Sequence, residues 1–132
     1  MEIAVANSNG RAEVAVLRLK GNFDAAGQGK FDSASEEAHR DGARYFVINF
    51  SEVPFMSSAG IRSLNNLYKI LSKELSEQDQ REALRGIREG GYASPNLKLV
   101  NPNAKVKEVL KMTGLEMYLG IYRDEQEALA AF

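Results

Sequence analysis

Tyr45-Phe46-Val47-Ile48-Asn49-Phe50, followed through Ser51-Glu52-Val53-Pro54-Phe55-Met56 by Ser57-Ser58-Ala59-Gly60-Ile61, is the stretch whose reading decides the fold. The first six residues are almost continuously apolar and β-branched or aromatic, the pattern of a central strand covered on both faces. Beyond the two serines, Ile61, Leu64, Leu67, Tyr68 and Leu71 recur at helical spacing, so one face of an amphipathic helix turns inward. A buried strand feeding such a helix through a short loop is one unit of an α/β sheet.

Working toward the N-terminus, Ile3 and Val5 alternate with small or polar neighbours, Asn7-Ser8-Asn9-Gly10 supplies residues that tolerate positive φ, and Val14 to Leu19 is apolar again. This predicts a β-hairpin. Gly21-Asn22-Phe23-Asp24 closes its second strand, and Asp24 is placed to cap a helix that reaches about Asp41 and presents Phe31, Ala34 and Ala38. Gly27 and Gly29 weaken the first turns of that helix.

Toward the C-terminus, Leu97-Lys98-Leu99-Val100 reads as a short strand. Val106, Val109, Leu110 and Thr113 form a helical stripe that ends at Gly114, a natural left-handed terminator with Leu115 packing back. Tyr118 to Tyr122 reads as a last strand, and Asp124 with Glu127 as a capping box opening a terminal helix that carries Leu129. The order ββαβαβαβα predicts an α/β fold: a mixed, mostly parallel sheet covered by about four helices, with the hairpin at one edge and right-handed crossovers. Residues 1–132 are expected to form a single domain, with a polar insertion at about 73–95 carrying Ser76-Glu77-Gln78-Asp79-Gln80-Arg81-Glu82, Gly90-Gly91 and Ser94-Pro95.

Composition removes several function classes. Seventeen Lys and Arg against eighteen Asp and Glu leave a net charge of −1, so no bulk positive field exists to neutralise nucleic-acid phosphates. The chain has no cysteine and a single histidine, which excludes thiol nucleophiles, disulfides and thiolate or polyhistidine metal sites. Met1-Glu2-Ile3-Ala4-Val5 lacks a basic segment followed by a long apolar one, and no membrane-length apolar run occurs, so the expectation is a cytoplasmic chain without membrane insertion.

Two hydroxyls at a strand-to-helix junction admit two readings. Ser57 or Ser58 can cap the helix, with Ala59 and Gly60 serving close packing. Alternatively the junction is a switch, where a phosphate would add about −1.5 to −2 charges beside the positive end of the helix dipole. Elsewhere the signals are weaker. His39, near the end of the first helix, reads as a surface or dipole residue, and Glu36-Glu37 and Glu125 to Glu127 as solvated helix faces. Gly27 to Lys30 lacks the spacing of a phosphate-binding loop, so no cofactor is expected.

Val47 to Leu64 resembles the signature of the STAS family, named for sulphate transporters and anti-sigma factor antagonists. Leu19-Lys20-Gly21-Asn22-Phe23-Asp24 resembles that family's strand ending in Gly-x-Leu-Asp, and Val106 to Leu115 its later helix and turn. Carried over by position, the family's Asp-Ser-Ser-Gly motif lands with its Asp on Ser57, its phosphorylated serine on Ser58, the following small residue on Ala59 and its glycine on Gly60. Asn49 stands at a position often acidic in the family.

The resemblance implies a non-enzymatic anti-sigma factor antagonist. It would bind an anti-sigma factor that is also a serine kinase, and be released by phosphorylation of Ser58, with Ser57 as second choice. A serine phosphatase is the implied third partner. The implied contact surface comprises Asp24, Ser57, Ser58, Ala59, Gly60, Ile61 and Arg62. The alternative within the family is a non-switching scaffold or accessory module of a signalling or transport complex, and a small carboxylate enzyme is the reading outside it.

Overall fold

The computed structural model describes residues 1–7, 13–75, 77–78, 80–81, 85 and 94–132. Strands β1 (Glu2–Asn7) and β2 (Val14–Lys20) form an antiparallel pair in the register Ile3 to Leu19 and Val5 to Leu17. Residues 8–12 between them, with the Ser8-Asn9-Gly10 expected to turn the chain, lie outside the described residues. From β2 the chain enters α1 (Ala25–Arg40), β3 (Tyr45–Glu52), α2 (Ser58–Lys73), β4 (Leu97–Val100), α3 (Ala104–Met112), β5 (Gly120–Tyr122) and α4 (Glu125–Ala130). The five strands lie in sequential order, and every pair after the first is parallel. This is the expected mixed α/β sheet with the hairpin strand at its edge.

The pleat of β3 explains why both faces are covered. Phe46, Ile48 and Phe50 point to one side, in register with Ala15 and Leu17 of β2 and with Leu97 and Leu99 of β4. There Phe31 of α1, Leu64, Leu67 and Leu71 of α2, and Val106 and Leu110 of α3 close over them. Each fully buried side chain of this size contributes about 1.5–3 kcal/mol, so this face carries the core. Val47 points to the other side and meets Val16, Val100 and Ala128 of α4.

Most element ends follow from local chemistry. The Asp24 carboxylate accepts from the N–H groups of Ala26 and Gly27, and α1 stops at Arg40 with Asp41 as its C-cap. Gly114 has φ 79° and terminates α3 as expected, with Leu115 buried against the core. Two boundaries differ from the sequence reading. The last strand begins at Gly120, not Tyr118, because Leu115–Met117 winds into a 3-10 turn whose exit places the Tyr118 ring against Tyr68. At α4 only half of the capping box forms: Asp124 accepts from the Glu127 N–H, while the Glu127 carboxylate pairs with Arg123.

Of the span expected as an insertion at 73–95, Lys73 still belongs to α2, and Glu77, Gln78, Gln80, Arg81 and Arg85 have helical backbone. Ser94 and Asn96 are buried, where Asn96 donates to the Leu71 carbonyl and ties the approach to β4 onto α2. Residues 76, 79, 82–84 and 86–93 lie outside the described residues, and with them the Gly90-Gly91 pair.

Candidate functional site

The β2–α1 and β3–α2 loops emerge at the same end of adjacent parallel strands, and backbone hydrogen bonds join them. The Gly21 N–H donates to the Glu52 carbonyl at 2.9 Å, Phe23 N–H to Phe55 at 2.9 Å, and Ser57 N–H back to Phe23 at 3.0 Å. Gly21 makes the required turn with φ 104°, a conformation that side chains on other residues disfavour. The result is a parallel bridge between Phe23 and Met56, which brings the start of α1 beside the start of α2.

Gly60 completes this corner. A Cβ at that position would stand 2.7 Å from Met56 Cγ and 2.8 Å from the Phe23 carbonyl oxygen, so the first turn of α2 rests directly on the bridge. Ala59 is buried alongside it at 3% exposure, Ile61 is half-buried and Arg62 is exposed. From a third loop, Asn103 caps α3 by accepting from the Val106 N–H, and its amide donates to the carbonyls of Val53 and Pro54. The β3–α2 loop is therefore held from both sides.

The two serines have separate places. Ser57 is the N-cap of α2: its backbone is extended, its Oγ accepts from the Ala59 N–H at 3.2 Å, and it is half-buried. Ser58 is the first helical residue and exposed, and its hydroxyl has no hydrogen-bond partner among the described residues. Asp24 lies at the neighbouring helix start with its carboxylate turned to its own N–H groups, and no hydrogen bond joins it to Ser58. The corner thus brings together Asp24 and the run from Ser57 to Arg62. It adds Phe55, whose ring is 47% exposed at the rim of the loop.

Sequence reading missed the roles of Phe55 and Asn103. For Asn103 the signal was present, an Asn directly before the stripe that begins at Val106. It also read Glu125 as part of a solvated face, which the structure corrects. The Glu125 carboxylate accepts from Arg18 Nε and Nη2, both at 2.8 Å, and from the Asn49 amide at 2.7 Å. The hydrogen bond from Arg18 holds this carboxyl below its ordinary range, with the Asn49 amide and the Arg18 charge adding to the effect and partial burial opposing it. The residue standing where the family is often acidic therefore ties α4 to the sheet. His39, expected at the surface, pairs with Glu74 just beyond α2.

The family model for the STAS domain matches residues 5–76, more than half of the chain, and spans the whole corner. The chain belongs to the STAS domain family. Among curated proteins nothing matches it. Solved structures do: an anti-sigma factor antagonist from Mycobacterium paratuberculosis is 19% identical, with a TM-score of 0.72 over 98% of this chain and 92% of that one. The anti-sigma factor antagonist SpoIIAA in its unphosphorylated form is 21% identical, with a TM-score of 0.70 over 97% and 93%. The Bacillus cell fate determinant SpoIIAA in its phosphorylated form is 20% identical, with a TM-score of 0.64 over 98% and 97%. At these identities the likeness establishes that this STAS domain shares their fold. None of its described helices is long and apolar enough to cross a membrane.

Proposed function

We propose that this STAS domain is an anti-sigma factor antagonist, a cytoplasmic binding protein and not an enzyme, whose corner at the start of α2 docks on an anti-sigma factor that is also a serine kinase. Phosphorylation of Ser58 releases that partner, and a serine phosphatase restores binding, so the chain acts on sigma-factor-dependent transcription by partner switching. The observation that carries this reading is the division of labour between the two serines. Ser57 is occupied in holding the helix, while Ser58 offers an exposed hydroxyl without a partner among the described residues.

The surrounding contact surface suits such a switch. Phe55 supplies exposed apolar area, Ala59 and Gly60 keep the helix start low against the loop, and Ile61, Arg62 and Asp24 frame it. A phosphate on Ser58 would be favoured by the free N–H groups and dipole of the helix start, so the domain stays folded when modified. At a docked interface the same charge meets desolvation and the nearby Asp24 carboxylate. A penalty of about 3 kcal/mol there lowers affinity on the order of a hundredfold.

The test is to capture partners on immobilised wild-type protein, Ser58→Ala and Ser58→Asp, and then add ATP. The proposal predicts a protein kinase that is retained by wild type and Ser58→Ala, is shed by wild type alone when ATP is added, and binds Ser58→Asp poorly. A set of partners unchanged by ATP and by both substitutions would overturn it in favour of a constitutive module.

A further inference from the structure

The two edges of the sheet differ. At one edge β5 is three residues long. At the other β1 runs for six, and no strand lies on its outer side among the described residues. Folded proteins guard such an edge with proline, lysine or a very short strand. Ile3-Ala4-Val5-Ala6 has none of these guards, and no residue of β1 is buried. Its outward N–H and C=O groups are a template for another extended strand. Ile3 and Val5 stand opposite Leu19 and Leu17, on the face that α1 covers, yet Val5 is 48% exposed.

Beside this edge an open groove of about 630 Å³ separates Met1 and Ile3 from the outer flank of α1, where Lys30, Ser33, Ala34 and Glu37 line it. Lys30 and Glu37 stand two turns apart on one side of the helix, with the small Ser33 and Ala34 between them. Both are exposed, and neither has an ion-pair partner among the described residues; the Lys30 ammonium donates to the Met1 carbonyl at 3.0 Å. The row is complementary to itself. Reversed end to end, it sets each lysine against a glutamate and small residues against small ones.

Strand and helix are reversed by the same operation. Both β1 and α1 run antiparallel to β2, so a twofold axis perpendicular to the sheet pairs β1 with its copy and α1 with its copy, each antiparallel. Their positions agree as well. A Cβ on Gly27 would stand 3.1 Å from Met1 Cβ, so Gly27 marks the start of β1. The midpoint of Lys30 and Glu37 lies about 10 Å farther along α1, beside Ile3 and Ala4. An axis at Ile3 sets Met1 against Val5 of the second copy and Ile3 against Ile3, one apolar row on the α1 face.

We propose that the β1 edge and the outer flank of α1 bind a second copy of this chain, joining two five-stranded sheets into one across a twofold axis. Lys30 and Glu37 form two reciprocal ion pairs over the joined strands, and Val5 is covered. The self-complementary charge row selects a second copy over an unrelated strand. None of the residues from Ser57 to Arg62 takes part, so the inference stands apart from the phosphorylation switch.

Sedimentation equilibrium of the full chain tests this with wild type, Lys30→Glu, Glu37→Lys, the double exchange Lys30→Glu/Glu37→Lys, and Val5→Lys. Wild type should dimerise reversibly. Each single exchange replaces two ion pairs by two like-charge pairs and should weaken the dimer at least about tenfold. The double exchange rebuilds both pairs and should return affinity to within about threefold of wild type. Val5→Lys puts a charge into the apolar row and should abolish the dimer with the far-ultraviolet circular dichroism unchanged. A wild-type chain that stays monomeric up to about 0.5 mM, single exchanges without effect, a double exchange no tighter than the singles, or a dimer that survives Val5→Lys would each overturn the proposal.

Discussion

The two faces of the sheet are covered in opposite ways. Over Phe46, Ile48 and Phe50, three helices bring long apolar side chains, among them Phe31, Leu64 and Leu110. Over Val47, the cover is the short α4, which contributes Ala128 and Leu129 and is tied down by the Arg18–Glu125–Asn49 cluster. Beside it Lys98, 4% exposed, lies against the rings of Tyr122 and Phe132. One face is held by a large apolar core, the other by a smaller apolar cluster around Val47 supplemented by a few directed polar contacts. The difference matters for function because α1, α2 and α3 all begin at the same end of the sheet, so the packing that makes the core also positions the Ser58 corner.

The contrast is broken most strongly at Phe31, which is fully buried and packs on Phe23 with ring centroids 4.8 Å apart. Phe31→Ala should cost about 3–5 kcal/mol in urea unfolding, a larger loss than any truncation on the α4 face. Next comes Gly60. Adding the Cβ of alanine collides with both Met56 and the Phe23 backbone, so the helix start must shift away from the bridge, at about 1–3 kcal/mol, and amide shifts should change on both loops of the corner. The serines then sharpen the comparison within the corner itself. Ser57→Ala removes a cap and should cost about 1 kcal/mol. Ser58→Ala should stay within about 0.5 kcal/mol of wild type.

The smallest expected effect belongs to the polar face. Glu125→Gln should lower stability by about 1 kcal/mol or less at neutral pH, since Arg18 is half exposed and the pair is partly screened. The sign follows from the lowered pKa of Glu125: its contribution is full above the unfolded carboxylate value of about 4.3 and is lost as pH falls through the folded one. Wild type and Glu125→Gln should therefore differ most at pH 7, converge on acidification below about pH 4, and differ less at high salt. An equal difference at all pH values would place the effect in packing instead.

How far the sequence reveals these features depends on their range. The caps at Asp24 and Asp124, the stop at Gly114 and the stripes of α2 and α3 are local signals, and the structure follows them closely. The start of β5 was misread because a tight 3-10 turn at Leu115–Met117 carries no periodicity of its own. Glu125 was misread because its partner Arg18 is 107 residues away, beyond anything that helical spacing reports. The site shows the same split. The motif at Ser57 to Gly60 marks the corner, but which serine caps and which remains free depends on where the first helical turn begins. That start is set by Phe23 and Met56 across the loop bridge.

The central claim is that Ser57 belongs to the fold while Ser58 belongs to the switch. Its most direct test is phosphosite mapping of the chain purified from its native cells under growth and stress, alongside Ser57→Ala and Ser58→Ala. The account predicts a single phosphate on Ser58, present under one condition and reduced under the other, retained in Ser57→Ala and absent from Ser58→Ala. A phosphate on Ser57, or none under any condition, would contradict it.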